Sequence, residues 1–301
     1  MFQTPPYLKN GDTIAIVATA RKVSEKEIKP AVEKFQSWGL KVVTGENLYK
    51  ELNQYAGSDD DRTADLQQAL DNSSIKAIFV ARGGYGTVRI VDKLDFSNFK
   101  NLPKWIVGYS DVTVLHSHIH RNFGIETLHA AMPINFPPEG TDNNAIISLK
   151  NALFGEQLIY QIEPNYMNVI GKAEGIITGG NLSLLYALNG SDSEIDTAGK
   201  ILFIEDLDEY LYHIDRMMIN LKRSGKLENL SGMIVGGMTE MKDNIVPFGK
   251  SAYEIISETI NKYKYPACFD FPAGHSKDNR ALILGRQIKL EITNQKVTIT
   301  F

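Results

Sequence analysis

Short apolar runs that alternate with helix-patterned stretches constrain this chain more than any other feature. Thr13 to Ala18 is apolar and bounded by Gly11-Asp12 and a polar loop, so it reads as a strand buried on both faces. Glu25 to Trp38 follows, with Ile28, Ala31, Val32, Phe35 and Trp38 at helical spacing. The unit then repeats, with a strand at Leu40 to Val43, a helix from an N-cap at Ser58 through Leu70, and a strand at Ile75 to Ala81. A helix over Thr87 to Leu94 and a strand at Trp105 to Val107 continue it. Such alternation predicts a parallel sheet covered on both faces, with the loops at the strand C-terminal ends building the site. Arg82 and Ser110 both lie at such ends.

The pattern changes after Met132-Pro133, where Pro137-Pro138-Glu139-Gly140-Thr141-Asp142-Asn143 is turn-rich and leads into a helical stretch ending near Phe154. The expected organisation is an N-terminal domain over 1–136, a linker region over 137–165 and a C-terminal domain over 166–301. A length of 301 residues accommodates two medium domains. In the second half, strands at Gly175 to Ile177, Ile201 to Ile204 and Met233 to Val235 alternate with helices from Leu182, over Leu211 to Leu221 and over Ser251 to Ile260. Gln287 to Ile292 and Lys296 to Thr300 flank Thr293-Asn294-Gln295 as a closing hairpin, so this half reads as a β-rich α/β domain.

Lys+Arg 32 against Asp+Glu 36, without a long basic run, argues against a nucleic-acid partner. The single cysteine, Cys268, leaves no internal disulfide and reads as a small buried apolar residue, and no Cys/His spacing resembles a structural zinc site. No window reaches the apolar length of a membrane span, and the first residues lack a signal-peptide pattern, so a cytoplasmic protein away from membranes is expected.

Gly108-Tyr109-Ser110-Asp111 follows the apolar run Trp105-Ile106-Val107 and precedes the helical Val112-Thr113-Val114-Leu115. A sharp strand-to-helix turn exposes the serine and turns backbone N–H groups toward it, which suits a nucleophile whose reaction develops an oxyanion. Such a serine needs a base, usually a histidine oriented by a carboxylate. Among six histidines, His116, His118 and His120 fall in the following helix; His116 and His120 share one face, which reads as solvated or half-buried, with no glutamate to complete a zincin pattern, while His118 points elsewhere. His129 lies in an apolar segment and reads as a core histidine; His213 reads as an ordinary helix residue. His275 differs, because it lies in a polar loop between Phe271-Pro272-Ala273-Gly274 and Ser276-Lys277-Asp278-Asn279.

The strand Ile201-Leu202-Phe203-Ile204 ends in Glu205-Asp206-Leu207-Asp208-Glu209, and local sequence leaves the choice between Glu205 and Asp206 open. Arg82-Gly83-Gly84-Tyr85-Gly86 follows a strand, fits neither G-x-G-x-x-G nor a P-loop, and reads as an anion or oxyanion nest. Arg82 can hold a substrate carboxylate or a structural salt bridge. Gly179-Gly180-Asn181 reads as a tight turn capping a helix.

Together, Ala81-Arg82-Gly83-Gly84-Tyr85-Gly86, Gly108-Tyr109-Ser110-Asp111, Thr178-Gly179-Gly180-Asn181, Phe203-Ile204-Glu205-Asp206 and Pro272-Ala273-Gly274-His275 resemble the LD-carboxypeptidase family of serine peptidases, over nearly the whole chain. The resemblance implies an N-terminal Rossmann-like domain, related to class I glutamine amidotransferases, and a C-terminal β-rich domain. It implies Ser110 as nucleophile, His275 as general base and Glu205 as orienting acid. Asp111 and Gly84 would offer oxyanion N–H groups, and Arg82, with Gly83 and Tyr85, would meet the substrate. The implied reaction removes a terminal D-alanine from a muropeptide in cytoplasmic cell-wall recycling, without metal or organic cofactor, by a homodimer. The chain departs from the family pattern at His213, where many members carry an arginine. The microcin C immunity branch of the family, which cleaves an aminoacyl-nucleotide amide, is the near alternative. An α/β-hydrolase esterase would require G-x-S-x-G, and position 112 is Val. A non-catalytic nucleotide-binding module built on Arg82 to Gly86 would not need Ser110, Glu205 and His275 to converge.

Overall fold

The computed structural model describes residues 2–138 and 141–301, so Glu139 and Gly140 of the expected linker lie outside the described residues. The first half forms β1 (Thr13–Val17), α1 (Glu25–Ser37), β2 (Lys41–Thr44), α2 (Asp59–Asp71), β3 (Ile75–Val80), α3 (Ser97–Asn101), β4 (Trp105–Gly108), α4 (Thr113–Phe123) and β5 (Thr127–His129). Next come α5 (Asn144–Phe154), β6 (Ile159–Ile162), β7 (Gly171–Asn181), α6 (Leu182–Leu188), β8 (Ile201–Leu207), α7 (Leu211–Arg223) and β9 (Gly232–Thr239). The chain closes with α8 (Ala252–Ile260), β10 (Ala267–Cys268), β11 (Leu282–Leu284), β12 (Gln287–Ile292) and β13 (Val297–Thr300).

Two sheets result, ordered β11-β5-β4-β3-β1-β2 and β10-β9-β8-β7-β12-β13-β6. In the first, β1 to β5 pair in parallel, and β1, β3 and β4 are buried almost without interruption because helices cover both faces. The second is mixed: β7 to β10 are parallel, whereas β12 alternates buried and exposed residues in an antiparallel ladder with β7 and β13. Capping boxes at Ser24/Glu27, Ser58/Asp61 and Ser251/Glu254 start α1, α2 and α8, each satisfying helix N–H groups that would otherwise lack acceptors.

Three features depart from the sequence expectation. Thr87 to Leu94 forms two 3₁₀ turns, Thr87–Arg89 and Val91–Lys93, instead of a helix. Within the span 137–165 the helical stretch ending near Phe154 is present as α5, but the residues after it form β6, which joins the second sheet. β11 leaves the second half of the chain to pair antiparallel with β5 at the edge of the first sheet, with Leu282 opposite His129. One apolar core accordingly runs through both sheets and includes Phe79, Val107, Leu128, Phe203, Ile234 and Leu290. Among the described residues no helix is long and apolar enough to cross a membrane.

Candidate functional site

Because β3 and β4 are parallel neighbours, their C-terminal ends present Arg82 to Gly86 and Gly108 to Asp111 side by side. The two loops are tied by Asp111, whose buried Oδ2 accepts the Thr87 N–H at 2.8 Å. Burial pushes the Asp111 carboxyl above its ordinary value, opposed by the hydrogen bonds from Thr87. Ser110 takes φ 64°, a left-handed conformation uncommon outside glycine. Gly83 packs so closely on the serine that a Cβ there would stand 2.9 Å from Ser110 Cβ and 3.0 Å from its Oγ. The elbow also grips the second half of the chain: Thr113 Oγ1 accepts the Asn181 N–H at 3.0 Å. Asn181 in addition caps α6 by accepting the Leu184 N–H, as its tight turn suggests.

The expected acid and base come from the other sheet. Glu205 on β8 is fully buried, and His275 stands in the loop between β10 and β11 with 14% of its side chain exposed. His275 Nδ1 and Glu205 Oε2 are 2.7 Å apart. Two features shape this contact. The β8–β9 register slips between Ile204 and Asp206, leaving Gly236 and Gly237 against Glu205, a bulge of the kind that re-aims a side chain. Gly274, at φ 110°, has no Cβ, and one would lie 2.6 Å from Glu205 Oε2. Burial, the largest influence, pushes the His275 pKa down, but the Glu205 charge and hydrogen bond together outweigh it and the net shift is upward.

The neighbouring Asp206 faces the opposite way along the strand. Its Oδ1 accepts from Asn181 Nδ2 at 2.9 Å and its Oδ2 from the Ser183 N–H at 2.9 Å, so it buttresses the start of α6. Burial, with the Glu205 charge beside it, pushes its pKa up to about 7. The two adjacent carboxylates thus face opposite ways, Glu205 toward His275 and Asp206 toward the start of α6, as alternation along a strand places them.

The His275 loop is held from several sides. Thr239 Oγ1 donates to the His275 carbonyl at 3.0 Å, Gly237 N–H to the Ala273 carbonyl at 2.9 Å, and Asn279 Oδ1 accepts the Gly274 N–H at 2.8 Å. Ser148 on α5 and Tyr160 on β6 bond Ala281 beyond it, at 2.9 and 2.7 Å. The Tyr109 ring, next to Ser110 in the chain, lies edge-on to His275 with centroids 4.9 Å apart. Among the described residues Ser110 Oγ makes no hydrogen bond to His275. A catalytic hydrogen bond of this sort commonly tightens only when substrate is bound.

A cavity of about 540 Å³ opens beside the pair, lined by Tyr109, Asn135, Glu240, His275, Lys277 and Asn279 among others. Sequence reading did not single out Lys277 or Glu240, which line this cavity; the signal for Lys277 was its place two residues after His275. Arg82 is 37% exposed and 4.0 Å from Glu27, and Tyr85 is half exposed on the same loop. His116 and His120, expected on a solvated or half-buried face, are buried instead. Their Nε2 atoms meet the Gly108 carbonyl and Thr127 Oγ1, each at 3.0 Å, because α4 is enclosed between β5 of the first sheet and β7 and α6 of the second half. His213 bonds Glu209 across one helical turn at 2.5 Å.

Residues 14–130 match the LD-carboxypeptidase N-terminal domain, and residues 174–290 match the LD-carboxypeptidase C-terminal domain. The chain belongs to the LD-carboxypeptidase family. It is 36% identical to a probable murein peptide carboxypeptidase of Bacillus subtilis, over 98% of this chain and 93% of that protein. The crystal structure of muramoyltetrapeptide carboxypeptidase from Oxalobacter formigenes superposes with a TM-score of 0.87 at 26% identity, covering 96% of this chain and 98% of that one. The microcin C7 self-immunity protein MccF of Escherichia coli is 25% identical over 100% of this chain and 97% of that protein. As a member of the LD-carboxypeptidase family, the chain is a serine carboxypeptidase, a hydrolase.

Proposed function

We propose that this chain removes the terminal D-alanine from murein tetrapeptides, with Ser110 as nucleophile, His275 as general base and Glu205 as the acid that orients the base. The observation that carries the reading is the 2.7 Å Glu205–His275 contact on the wall of the cavity, with Tyr109 joining the imidazole to the serine elbow. With Nδ1 donating to Glu205, Nε2 is left as the acceptor. It takes the Ser110 proton as Oγ attacks the scissile carbonyl, and the buried carboxylate stabilises the imidazolium that forms. The N–H groups of Asp111 and Gly84 receive the oxyanion. His275 then returns the proton to the departing amine of D-alanine, and water repeats the sequence on the acyl-enzyme.

The substrate carries carboxylates, and cations near the elbow suit it. Lys277 lines the cavity, and Arg82 projects from the loop formed with Gly83 and Tyr85. The same reading assigns the enzyme to murein recycling in the cytoplasm, as a homodimer. The test is incubation with a defined muramyl tetrapeptide, followed by mass spectrometry for loss of one alanine.

An aminoacyl nucleotide is the second substrate reading. It is favoured by the Tyr210 and Tyr212 rings, 5.6 Å apart and each 40% exposed just beyond the Glu205 strand, a surface on which a base can stack. An intact tetrapeptide beside a cleaved aminoacyl nucleotide would decide for it.

A further inference from the structure

Arg62, on α2, is a buried arginine with no role in the chemistry above. Its guanidinium reaches three oxygens: Nη1 donates to the Thr19 carbonyl at 2.7 Å, Nε to the Ser58 carbonyl at 3.3 Å, and Nη2 to Asp59. The Tyr55 ring covers it, with Cζ 4.8 Å from the ring centroid. A buried guanidinium is tolerated only where partners of this kind surround it.

The same guanidinium packs on the loop after β3. Arg21, on the chain leaving β1, donates its N–H to the Gly83 carbonyl at 3.4 Å, and its stem covers Gly84, where a Cβ would stand 2.6 Å from Arg21 Cγ. Gly86 is wedged beside Arg62: a Cβ there would overlap Nη1 and stand 2.8 Å from Ala20 Cα and 2.9 Å from the Thr19 carbonyl oxygen. The next residue, Thr87, is fully buried. Its hydroxyl pairs with that of Thr19 at 2.7 Å, and its N–H is the donor that binds Asp111 Oδ2 at 2.8 Å. A continuous path of hydrogen bonds and close packing therefore runs from Arg62 through Thr19, Gly86 and Thr87 to Asp111, the residue after Ser110. It joins the two loops whose N–H groups, those of Gly84 and Asp111, are assigned to the oxyanion.

We propose that Arg62 is a positioning residue for the oxyanion site: its guanidinium fork clamps the loop from Gly83 to Thr87 against the chain leaving β1, and Thr87 carries that restraint to Asp111, so that the Gly84 and Asp111 N–H groups keep a fixed spacing. The clamp rests on Ser110 and these two N–H groups acting as proposed above. Arg62 acts through the loop and not on the substrate, so its contribution is to preorganisation, which favours the transition state and leaves ground-state binding alone. A cavity of about 370 Å³, lined by Tyr55, Asp59, Arg62 and Arg89 among others, opens onto the guanidinium.

The test compares Arg62→Ala and Thr19→Val with the parent. It measures kcat and KM on whichever of the tetrapeptide and the aminoacyl nucleotide the parent cleaves, affinity for a peptidyl boronic acid that forms a tetrahedral adduct with Ser110, affinity for the acid product, and melting by circular dichroism. Groups displaced by about 1 Å lose up to about 100-fold in rate, so Arg62→Ala is expected to lower kcat by about 10- to 100-fold with KM nearly unchanged. Its boronate affinity is expected to fall by the same factor while product affinity holds. Millimolar guanidinium chloride is expected to enter the cavity and restore most of the lost rate, where sodium chloride does not. Thr19→Val removes only the hydroxyl pairing and is expected to lower kcat by about fivefold, the equivalent of one neutral hydrogen bond. A folded Arg62→Ala protein with parental kcat and boronate affinity would overturn the clamp, as would equal losses of boronate and product affinity, or a deficit that guanidinium relieves no better than sodium. Should Arg62→Ala fail to fold, Thr19→Val decides, and parental kcat and boronate affinity there overturn the clamp. Full turnover by Ser110→Ala would instead remove the nucleophile, and a parent that cleaves neither substrate would strike the function while the boronate comparison still decides the clamp.

Discussion

The serine elbow and the acid–base pair that faces it are built by opposite means. The elbow is contiguous: a buried strand, one residue at φ 64° and the start of α4 place Ser110 within a few positions of chain. The pair joins residues 70 positions apart and depends on a β-bulge, a loop tethered by α5, β6 and β9, and a strand that changes sheets. Local geometry needs only its own few residues. A long-range contact needs the whole sheet order to be right, so substitutions at the two places probe different layers of the structure.

The largest effect is expected at the elbow. Ser110→Ala leaves the fold intact, since alanine meets the same backbone constraint, and lowers hydrolysis of the tetrapeptide by about 10⁵- to 10⁶-fold. Turnover within tenfold of the parent, with an unchanged melt, would take the nucleophile away from the elbow. On the other side of the comparison, Glu205→Gln is expected to cost about 10⁴-fold in kcat, because the imidazole loses the charge that orients and stabilises it. The sign of its pH effect follows from His275. The base must be neutral, and the Glu205 charge holds its pKa up against burial. Removing that charge lets burial prevail, and the acid limb of kcat/KM moves to lower pH. A limb that stays in place would show that Glu205 does not set the base.

Lys277 lies two residues beyond His275, on the long-range side, and lines the cavity. Lys277→Ala is expected to raise KM by about tenfold with kcat nearly unchanged, the pattern of binding lost equally from ground and transition states. Arg82→Ala, on the elbow side, is the control. A larger KM effect there would move the carboxylate contact to the loop after β3.

The same contrast explains what could be read from the chain in advance. The βαβ rhythm, the serine turn and the capping serines are written in neighbouring residues, and the structure has β1, β3, β4, α1 and α2 within a residue or two of their expected limits. The choice between Glu205 and Asp206 needed a strand phase that a bulge then alters. β11 is three apolar residues whose partner lies some 150 positions away, and no local signal specifies which sheet they join. The burial of His116 and His120 escaped for a related reason: polar residues at helical spacing look solvated until the surface under the helix is known.

The smallest effect on activity and the sharpest contrast are expected at Asp206. It is adjacent to Glu205 but turned toward Asn181 and the start of α6. Asp206→Asn is therefore expected to keep kcat within about threefold, where Glu205→Gln loses orders of magnitude. Its signature lies in stability. Burial raises the Asp206 pKa from 3.8 to about 7, so between those values the unfolded chain has released a proton that the folded protein still binds. Stability then falls as pH rises from about 4 to 7, by on the order of 4 kcal/mol at most, and the group gives its full stabilisation only below that window. An asparagine carries no such proton. Urea unfolding of parent and variant at pH 4.5, 6 and 7.5 is expected to show a flatter pH dependence in the variant. Parallel curves would mean that Asp206 is ionised throughout, and that the two neighbouring carboxylates share more charge than their opposite orientations imply.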